Sequence, residues 1–235
     1  MREMTFEKRF QGPFGSVNGG YLAGVLGDAA SSHVSSVRLR RPVPVGEPVY
    51  LFADDGWAAI RQCDQTLAET VDASEAVATT EFVPMDEALA TDHPRFDLGM
   101  FADCFVCGRG GEAGLGVRPR PLADGRFVAL WQPSSSGLIE GPLVPKRFLH
   151  SALDCPGGFA AIAASGHLAV TGSLTTRIDF LPETDQTLLV VAEATGREGR
   201  KLFATTTIFT ESGLVAATAE AVWVTLETLS IDPAA

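Results

Sequence analysis

The sequence contains the same pattern of predicted elements twice, and this internal repeat constrains the fold more than any other feature. The first copy spans residues 18–51 and the second spans residues 148–191. Each copy begins with a stretch rich in small residues and leucine that predicts a helix, followed by a short connection containing Ser or Thr. Each copy continues with a strand that contains an arginine, a turn that contains proline, and another apolar strand.

Further strands are predicted within and after each copy. They fall at residues 48–53, 58–70 and 76–83 in the first half, and at 188–194, 202–210 and 214–226 in the second. One helix followed by antiparallel strands, occurring twice, predicts an α+β fold in which a sheet wraps a central helix. We place the boundary in the connection between the halves, which gives two domains, residues 1–90 and 91–235.

The composition excludes several classes of protein. The 235 residues carry a formal net charge of −11, whereas proteins that bind nucleic acids or anionic membranes depend on Lys and Arg. The N-terminal residues include no apolar stretch, and the longest run without charged side chains, residues 155–176, is rich in Gly, Ser and Thr. We therefore expect a cytoplasmic protein that binds neither nucleic acid nor membrane.

A single acid, Asp154, lies in the otherwise apolar helical stretch of the second copy and is followed at once by Cys-Pro-Gly-Gly. A proline inside a helix costs roughly 3 kcal/mol, so we expect the helix to kink or restart at Pro156. Gly157 and Gly158 would let the backbone approach a ligand or the sheet closely. The pattern predicts a carboxylate that faces a pocket.

Residues 104–134, which begin Cys-Phe-Val-Cys-Gly, resemble the opening of phenylacetyl-CoA-type hotdog thioesterases. In that family a His-Gly-Gly loop precedes the central helix, and a catalytic acid follows nine residues after the His. Nine residues before Asp154 stands Pro145, followed by Lys146 and Arg147. The second half therefore keeps the acid and lacks the loop.

The first half keeps a segment like the loop but lacks the acid at the expected position. Its segment Asn18-Gly19-Gly20 resembles the loop, but Asp28 lies ten residues after Asn18, and the ninth position holds Gly27. One residue turns a helix by about 100°, so Asp28 would point elsewhere. We expect the first half to be scaffold, with Asn18, Gly19 and Gly20 as substrate contacts.

The second half also resembles the C-terminal hotdog of acyl-CoA thioesterase II, and the resemblance covers nearly the whole chain. Asp154 matches the acid of that family, and residues 215–224 align without a gap on its last strand, which puts Glu220 in place of a Gln. The third site residue of the family is a Thr before the second strand, which corresponds to one of Thr171, Thr175 and Thr176; we select Thr176. The resemblance implies a double hotdog, two antiparallel sheets that each wrap a central helix.

What the resemblance implies for function is hydrolysis of acyl-CoA thioesters, with Asp154 as general base or nucleophile and helix-start N–H groups as donors to the oxyanion. Glu220 would form a carboxylate pair with Asp154, in which one member keeps its proton. Coenzyme A would be part of the substrate, with no further cofactor. A non-catalytic acyl-thioester binder and a hotdog hydratase or dehydratase remain as alternatives.

Six basic residues stand out against the acidic background: Arg38, Arg40, Arg41, Lys146, Arg147 and Arg177. Among these we select Lys146, Arg147 and Arg177 as ligands for the phosphates of coenzyme A, since Arg and Lys bind phosphate well; solvated surface charge is the alternative. Because hotdog sheets usually pair, we also expect a homodimer of double-hotdog chains.

The cysteines are too few for a disulfide framework. Cys104 and Cys107 have the spacing of half a zinc site, but a structural zinc ion needs four ligands and no second pair follows. We therefore predict no metal, and interpret Cys155 as a free buried thiol.

Overall fold

The strands of the described chain form one antiparallel sheet. The computed structural model describes residues 1–31, 34–90, 101–108 and 114–230. Eleven strands lie in these ranges: β1 (Arg2–Thr5), β2 (Val34–Leu39), β3 (Pro48–Asp54), β4 (Trp57–Gln62), β5 (Gln65–Val71), β6 (Arg120–Pro121), β7 (Phe127–Trp131), β8 (His167–Ile178), β9 (Leu188–Glu198), β10 (Lys201–Thr210) and β11 (Val215–Ser230). The described helices are α1 (Gly19–Ala30), α2 (Met85–Ala90) and α3 (Lys146–Ser165).

The strand order is β1-β3-β4-β5-β2-β8-β11-β10-β9-β7-β6. The strands of the first half occupy one end of the sheet and those of the second half occupy the other. They meet where β2 pairs with β8, from Val34 opposite Arg177 to Arg38 opposite Ser173. The predicted α+β architecture is confirmed, but the two predicted sheets are joined edge to edge into one, which satisfies backbone groups that two separate edges would leave unpaired.

The two long helices, α1 and α3, cross closely on one face of this sheet. A Cβ atom at Gly20 would lie 2.6 Å from the backbone O of His150, and one at Gly24 would lie 2.5 Å from Cα of Arg147. Only glycine fits at such distances. The small-residue pattern of the first helix therefore serves a close contact between the halves.

Helix α3 runs without interruption from Lys146 to Ser165, with Pro156 inside it, so the expected restart does not occur. Residues 148–162 of α3 are buried, and this packing offsets the backbone hydrogen bond that proline removes. A Cβ atom at Gly158 would lie 2.5 Å from the Trp223 ring. The expectation that the glycines allow a close approach to the sheet is confirmed.

The strands of the second half are confirmed, whereas two predictions in the first half are wrong. Residues 58–70 belong to two strands, β4 and β5, joined by a turn in which Cys63 has φ +51°. Residues 76–83 form no strand. They cross the sheet face opposite to the helices, where Thr218 donates to the Ala78 carbonyl (2.6 Å) and the Thr80 N–H donates to Thr207 (2.9 Å).

The end of the predicted first domain thus lies against strands of the second half, and the boundary at residue 90 stays a prediction.

None of the described helices is both long enough and apolar enough to cross a membrane.

Candidate active site

Asp154 is the centre of the site and lies where α3 crosses the start of α1. Its side chain is 1% exposed. Oδ1 accepts a hydrogen bond from the Thr171 hydroxyl (2.8 Å). Oδ2 accepts hydrogen bonds from the Gly20 N–H (2.9 Å) and from Nδ2 of Asn18 (3.3 Å). Both carboxylate oxygens are therefore held by neutral donors, one set from each half of the chain.

Asn18 is positioned by its role as the N-cap of α1. Its Oδ1 accepts a hydrogen bond from the Tyr21 N–H (2.9 Å), which leaves Nδ2 to donate to Asp154. A Cβ atom at Gly19 would lie 2.8 Å from Oγ1 of Thr171, and one at Gly20 would lie 2.6 Å from Cβ of Asp154. The Asn-Gly-Gly segment of the first half therefore holds the carboxylate of the second half.

Thr171 reaches Asp154 because β8 contains a bulge. Ser173 lies opposite Val222 and Thr171 lies opposite Trp223, which leaves Gly172 unpaired. The extra residue turns the Thr171 side chain to the face that carries the helices. A Cβ atom at Gly172 would lie 2.9 Å from Cγ2 of Val224, so glycine suits this position.

The threonine that contacts the carboxylate is Thr171, not the selected Thr176. Thr176 is buried opposite Ala219, and its hydroxyl has no hydrogen-bond partner in the part of the chain that the structure describes. The alternation of side chains along β8 does not show which of these threonines faces the helices, because the bulge arises from the pairing with β11.

The structure does not bring Glu220 to Asp154. Side chains alternate between the two faces of a strand. Ala221 and Trp223 are buried on the helix side, whereas Glu220 is exposed on the other face. Asp28, near the end of α1, is exposed as well.

Burial raises the pKa of Asp154 to about 6, and the hydrogen bonds from Thr171, Gly20 and Asn18 partly offset this effect. Among the described residues, no Lys, Arg or His forms an ion pair with Asp154. A carboxyl group with a pKa near neutrality is well matched to general-base chemistry.

Asp154 and Thr171 form part of the wall of a cavity that is otherwise largely apolar. The apolar wall comes from both halves and includes Val17, Leu22, Leu39, Val43, Phe101, Val170 and Trp223. Two exposed arginines, Arg40 and Arg41, also line it. The cavity thus combines a buried carboxylate, an apolar wall and two cationic side chains.

The three basic residues selected from the sequence do not line this cavity. Lys146 and Arg147 are exposed at the start of α3. Arg177 forms an ion pair with Asp179 (2.9 Å) and donates to the Val77 carbonyl (3.1 Å). The basic residues that line the cavity are Arg40 and Arg41, which belong to the same basic group in the sequence.

Two cysteines, Cys104 and Cys155, line the same cavity, and their sulfur atoms are 3.6 Å apart. Hydrogen bonds from the thiols of Cys107 and Cys155 lower the pKa of Cys104 well below its usual range. The sequence showed Cys104 and Cys107 as a pair, but it could not show that α3 brings Cys155 to them.

No protein-family model matches the chain, and no curated protein matches it. The fold is shared with solved structures. The tesB protein of Mycobacterium avium subsp. paratuberculosis has a TM-score of 0.62 at 13% identity, over 95% of this chain and 92% of that one. A protein described as a thioesterase II from Thermobifida fusca has a TM-score of 0.63 at 15% identity, over 96% and 93%.

Acyl-CoA thioesterase II TesB2 of Mycobacterium marinum has a TM-score of 0.58 at 15% identity, over 95% of this chain and 92% of that one. A protein from Alicyclobacillus acidocaldarius, described as having a hot dog fold, has a TM-score of 0.56 at 16% identity, over 97% and 93%. At these identities the likeness concerns the fold. The resemblance predicted from the sequence is confirmed at that level: the chain has the double-hotdog fold of thioesterase II structures.

Proposed function

We propose that the protein hydrolyses acyl-CoA thioesters with Asp154 as the general base. The observation that carries this proposal is a buried carboxylate, held by Asn18, Gly20 and Thr171, in the wall of an apolar cavity. An acyl chain fits an apolar wall, and thioester hydrolysis needs a base at the acyl carbon. The shared fold with thioesterase structures supports the same reaction class.

The hydrogen bonds to Asp154 favour a general base over a nucleophile. Three of about four lone-pair positions on the carboxylate are occupied, and the remaining one can accept a proton from water. The water oxygen then attacks the thioester carbonyl, the C–S bond breaks, and the proton passes from Asp154 to the leaving thiolate. The products are a carboxylic acid and coenzyme A.

The start of α1 supplies a donor for the developing oxyanion. The first N–H groups of a helix have no acceptor within it. Gly19 is the first residue of α1, lines the cavity beside Asp154, and donates to no acceptor in the described part of the chain. A backbone N–H placed there stabilises negative charge on the carbonyl oxygen.

We assign the phosphates of coenzyme A to Arg40 and Arg41. Arg41 forms no ion pair with any described residue, whereas Arg40 also contacts Glu69. Exposed guanidinium groups at the cavity can form charge-assisted hydrogen bonds with phosphate oxygens.

The direct test is thiol release from a panel of acyl-CoAs. Asp154→Asn removes the base, so we expect turnover to fall by about 100-fold or more. Glu220→Gln, a matched change on the outer face, should leave turnover unchanged. Turnover that survives Asp154→Asn would contradict the site, and wild type that binds acyl-CoA without releasing thiol would identify a non-catalytic binder.

The histidines disfavour a hydratase or dehydratase. Of the two that the structure describes, His150 and His167, neither lines the cavity. A dehydratase of this kind would use a histidine beside the acid, and neither described histidine lies in the cavity wall.

The homodimer and the cytoplasmic location stay predictions. Size-exclusion chromatography with light scattering would test the dimer, and fractionation of the source cells would test the location.

A further inference from the structure

Three cysteine side chains converge beside Asp154 from two distant segments. Cys104 and Cys107 lie in a turn, and Cys155 lies in α3 next to Asp154. Their three sulfur atoms all lie within 4.8 Å of one another. Cys104 and Cys155 are 4% and 7% exposed, and Cys107 is partly buried.

The turn that carries the first two cysteines has the features of a metal-binding turn. The Gly108 N–H donates to the Cys104 carbonyl (2.8 Å), and the backbone N–H groups of Val106 and Cys107 donate to the Cys104 sulfur. A Cβ atom at Gly108 would lie 2.5 Å from the Cys104 carbonyl oxygen, so only glycine closes the turn. Backbone donors to sulfur favour the thiolate, which is the form that binds metals.

The sulfur spacing fits a tetrahedral ion. Zn–S bonds of about 2.3 Å at tetrahedral angles separate two sulfurs by roughly 3.8 Å. The Cys104 and Cys155 sulfurs are 3.6 Å apart. Cys155 adds a third sulfur atom, which the two-cysteine spacing in the sequence could not supply.

One polar side chain, Asn18, faces the sulfur atoms at this edge of the apolar core. Nδ2 of Asn18 lies 3.8 Å from the sulfurs of both Cys104 and Cys155, as well as contacting Asp154. Metal-bound ligands are commonly held by such outer donors.

We propose that Cys104, Cys107 and Cys155 bind one zinc ion, with water from the adjoining cavity as the fourth ligand. Three thiolates favour zinc over magnesium or calcium, which prefer oxygen ligands. The ion ties the turn at residues 104–108 to α3 beside Asp154. This site revises the expectation from sequence that the chain holds no metal, and it does not depend on the proposed hydrolysis.

The test measures metal directly. We expect protein purified under reducing conditions to contain one zinc per chain by elemental analysis. After zinc is removed, Co²⁺ titration should give thiolate-to-cobalt charge-transfer absorption that saturates at one equivalent. Cys104→Ser, Cys107→Ser and Cys155→Ser should each weaken binding by at least 10-fold, and Cys63→Ser, at an exposed turn, should not change it.

Circular dichroism would show whether a variant fails to fold. The titration of the wild-type protein tests the proposal even in that case. Absence of stoichiometric zinc together with absence of the charge-transfer band in wild type would overturn the proposal. So would equal loss of binding in Cys63→Ser. Zinc binding without release of thiol from acyl-CoA would support the zinc site and contradict the proposed hydrolysis.

Discussion

At the scale of single residues, two threonines on β8 that look equivalent in the sequence have different environments. The Thr171 hydroxyl donates to Asp154, whereas the Thr176 hydroxyl is buried with no partner among the described residues. We expect Thr171→Val to lower kcat by roughly 10- to 100-fold, because a hydrogen bond to a charged group is lost. Steady-state assays of thiol release measure this effect.

Thr176→Val is the matched control. It removes a buried hydroxyl that forms no bond with a described residue, so kcat should be unchanged and the melting temperature equal or higher. Equal losses of activity in the two variants would contradict the assignment of Thr171.

His150 gives the molecule a pH-dependent stability. Its side chain is 3% exposed, and burial, with a smaller effect of Lys146, lowers its pKa to about 4. In the unfolded chain the imidazole has a pKa of about 6.5. The unfolded state therefore binds the proton more readily, and this contribution to stability is lost as the pH falls from about 6.5 to about 4.

The loss amounts to roughly 3 kcal/mol below pH 4, because one pKa unit corresponds to about 1.36 kcal/mol. Urea unfolding of wild type and His150→Gln between pH 7 and pH 4 would measure it, since other groups titrate equally in both proteins. Parallel curves for the two proteins would contradict the prediction.

At the scale of elements, the crossing of α1 and α3 opposes the intrinsic preference of a helix. Alanine is more favourable than glycine within a helix by roughly 1 kcal/mol. At Gly24, however, a Cβ atom would lie 2.5 Å from Cα of Arg147, so the helices would have to separate. We expect Gly24→Ala to lower the free energy of unfolding by roughly 1–3 kcal/mol. Chemical denaturation measures this change, and a stabilised variant would contradict it.

The arrangement of helices and strands also explains which residues of the site could be predicted from the sequence. Asp154 could be found because one acid in an apolar helix is conspicuous in a sequence. Thr171 could not be separated from Thr175 and Thr176 because its face depends on the register of β8 against β11, where one residue, Gly172, is unpaired. The face of Glu220 could not be assigned because its strand is apolar at alternate positions on both sides. Register is set between strands, so local pattern does not reveal it.

At the scale of the whole molecule, the repeat predicted the fold correctly but not the interdependence of the halves. We expect fragments 1–90 and 91–235 to lack cooperative unfolding when each is produced alone. Each would expose an unpaired strand, β2 or β8, and the apolar face of a helix. Co-expressed fragments should associate and regain a cooperative thermal transition by circular dichroism. A cooperative transition in either fragment alone would contradict this prediction.

The crossing of the two helices has a consequence for the number of ligands that a chain can hold. A double hotdog has approximate twofold symmetry, so each helix start faces the middle of the other helix. The Asn-Gly-Gly segment at the start of α1 meets Asp154. At the equivalent place, Lys146 and Arg147 lie close enough to Asp28 to attract its carboxylate.

The two halves therefore complement each other, because the first supplies the Asn-Gly-Gly loop and the second supplies the acid. Together they form one site. At the position related to it by the approximate twofold symmetry, charged residues stand instead of a second site. Occupancy by a non-hydrolysable acyl-CoA analogue should accordingly saturate at one molecule per chain, whatever the number of chains in the assembly.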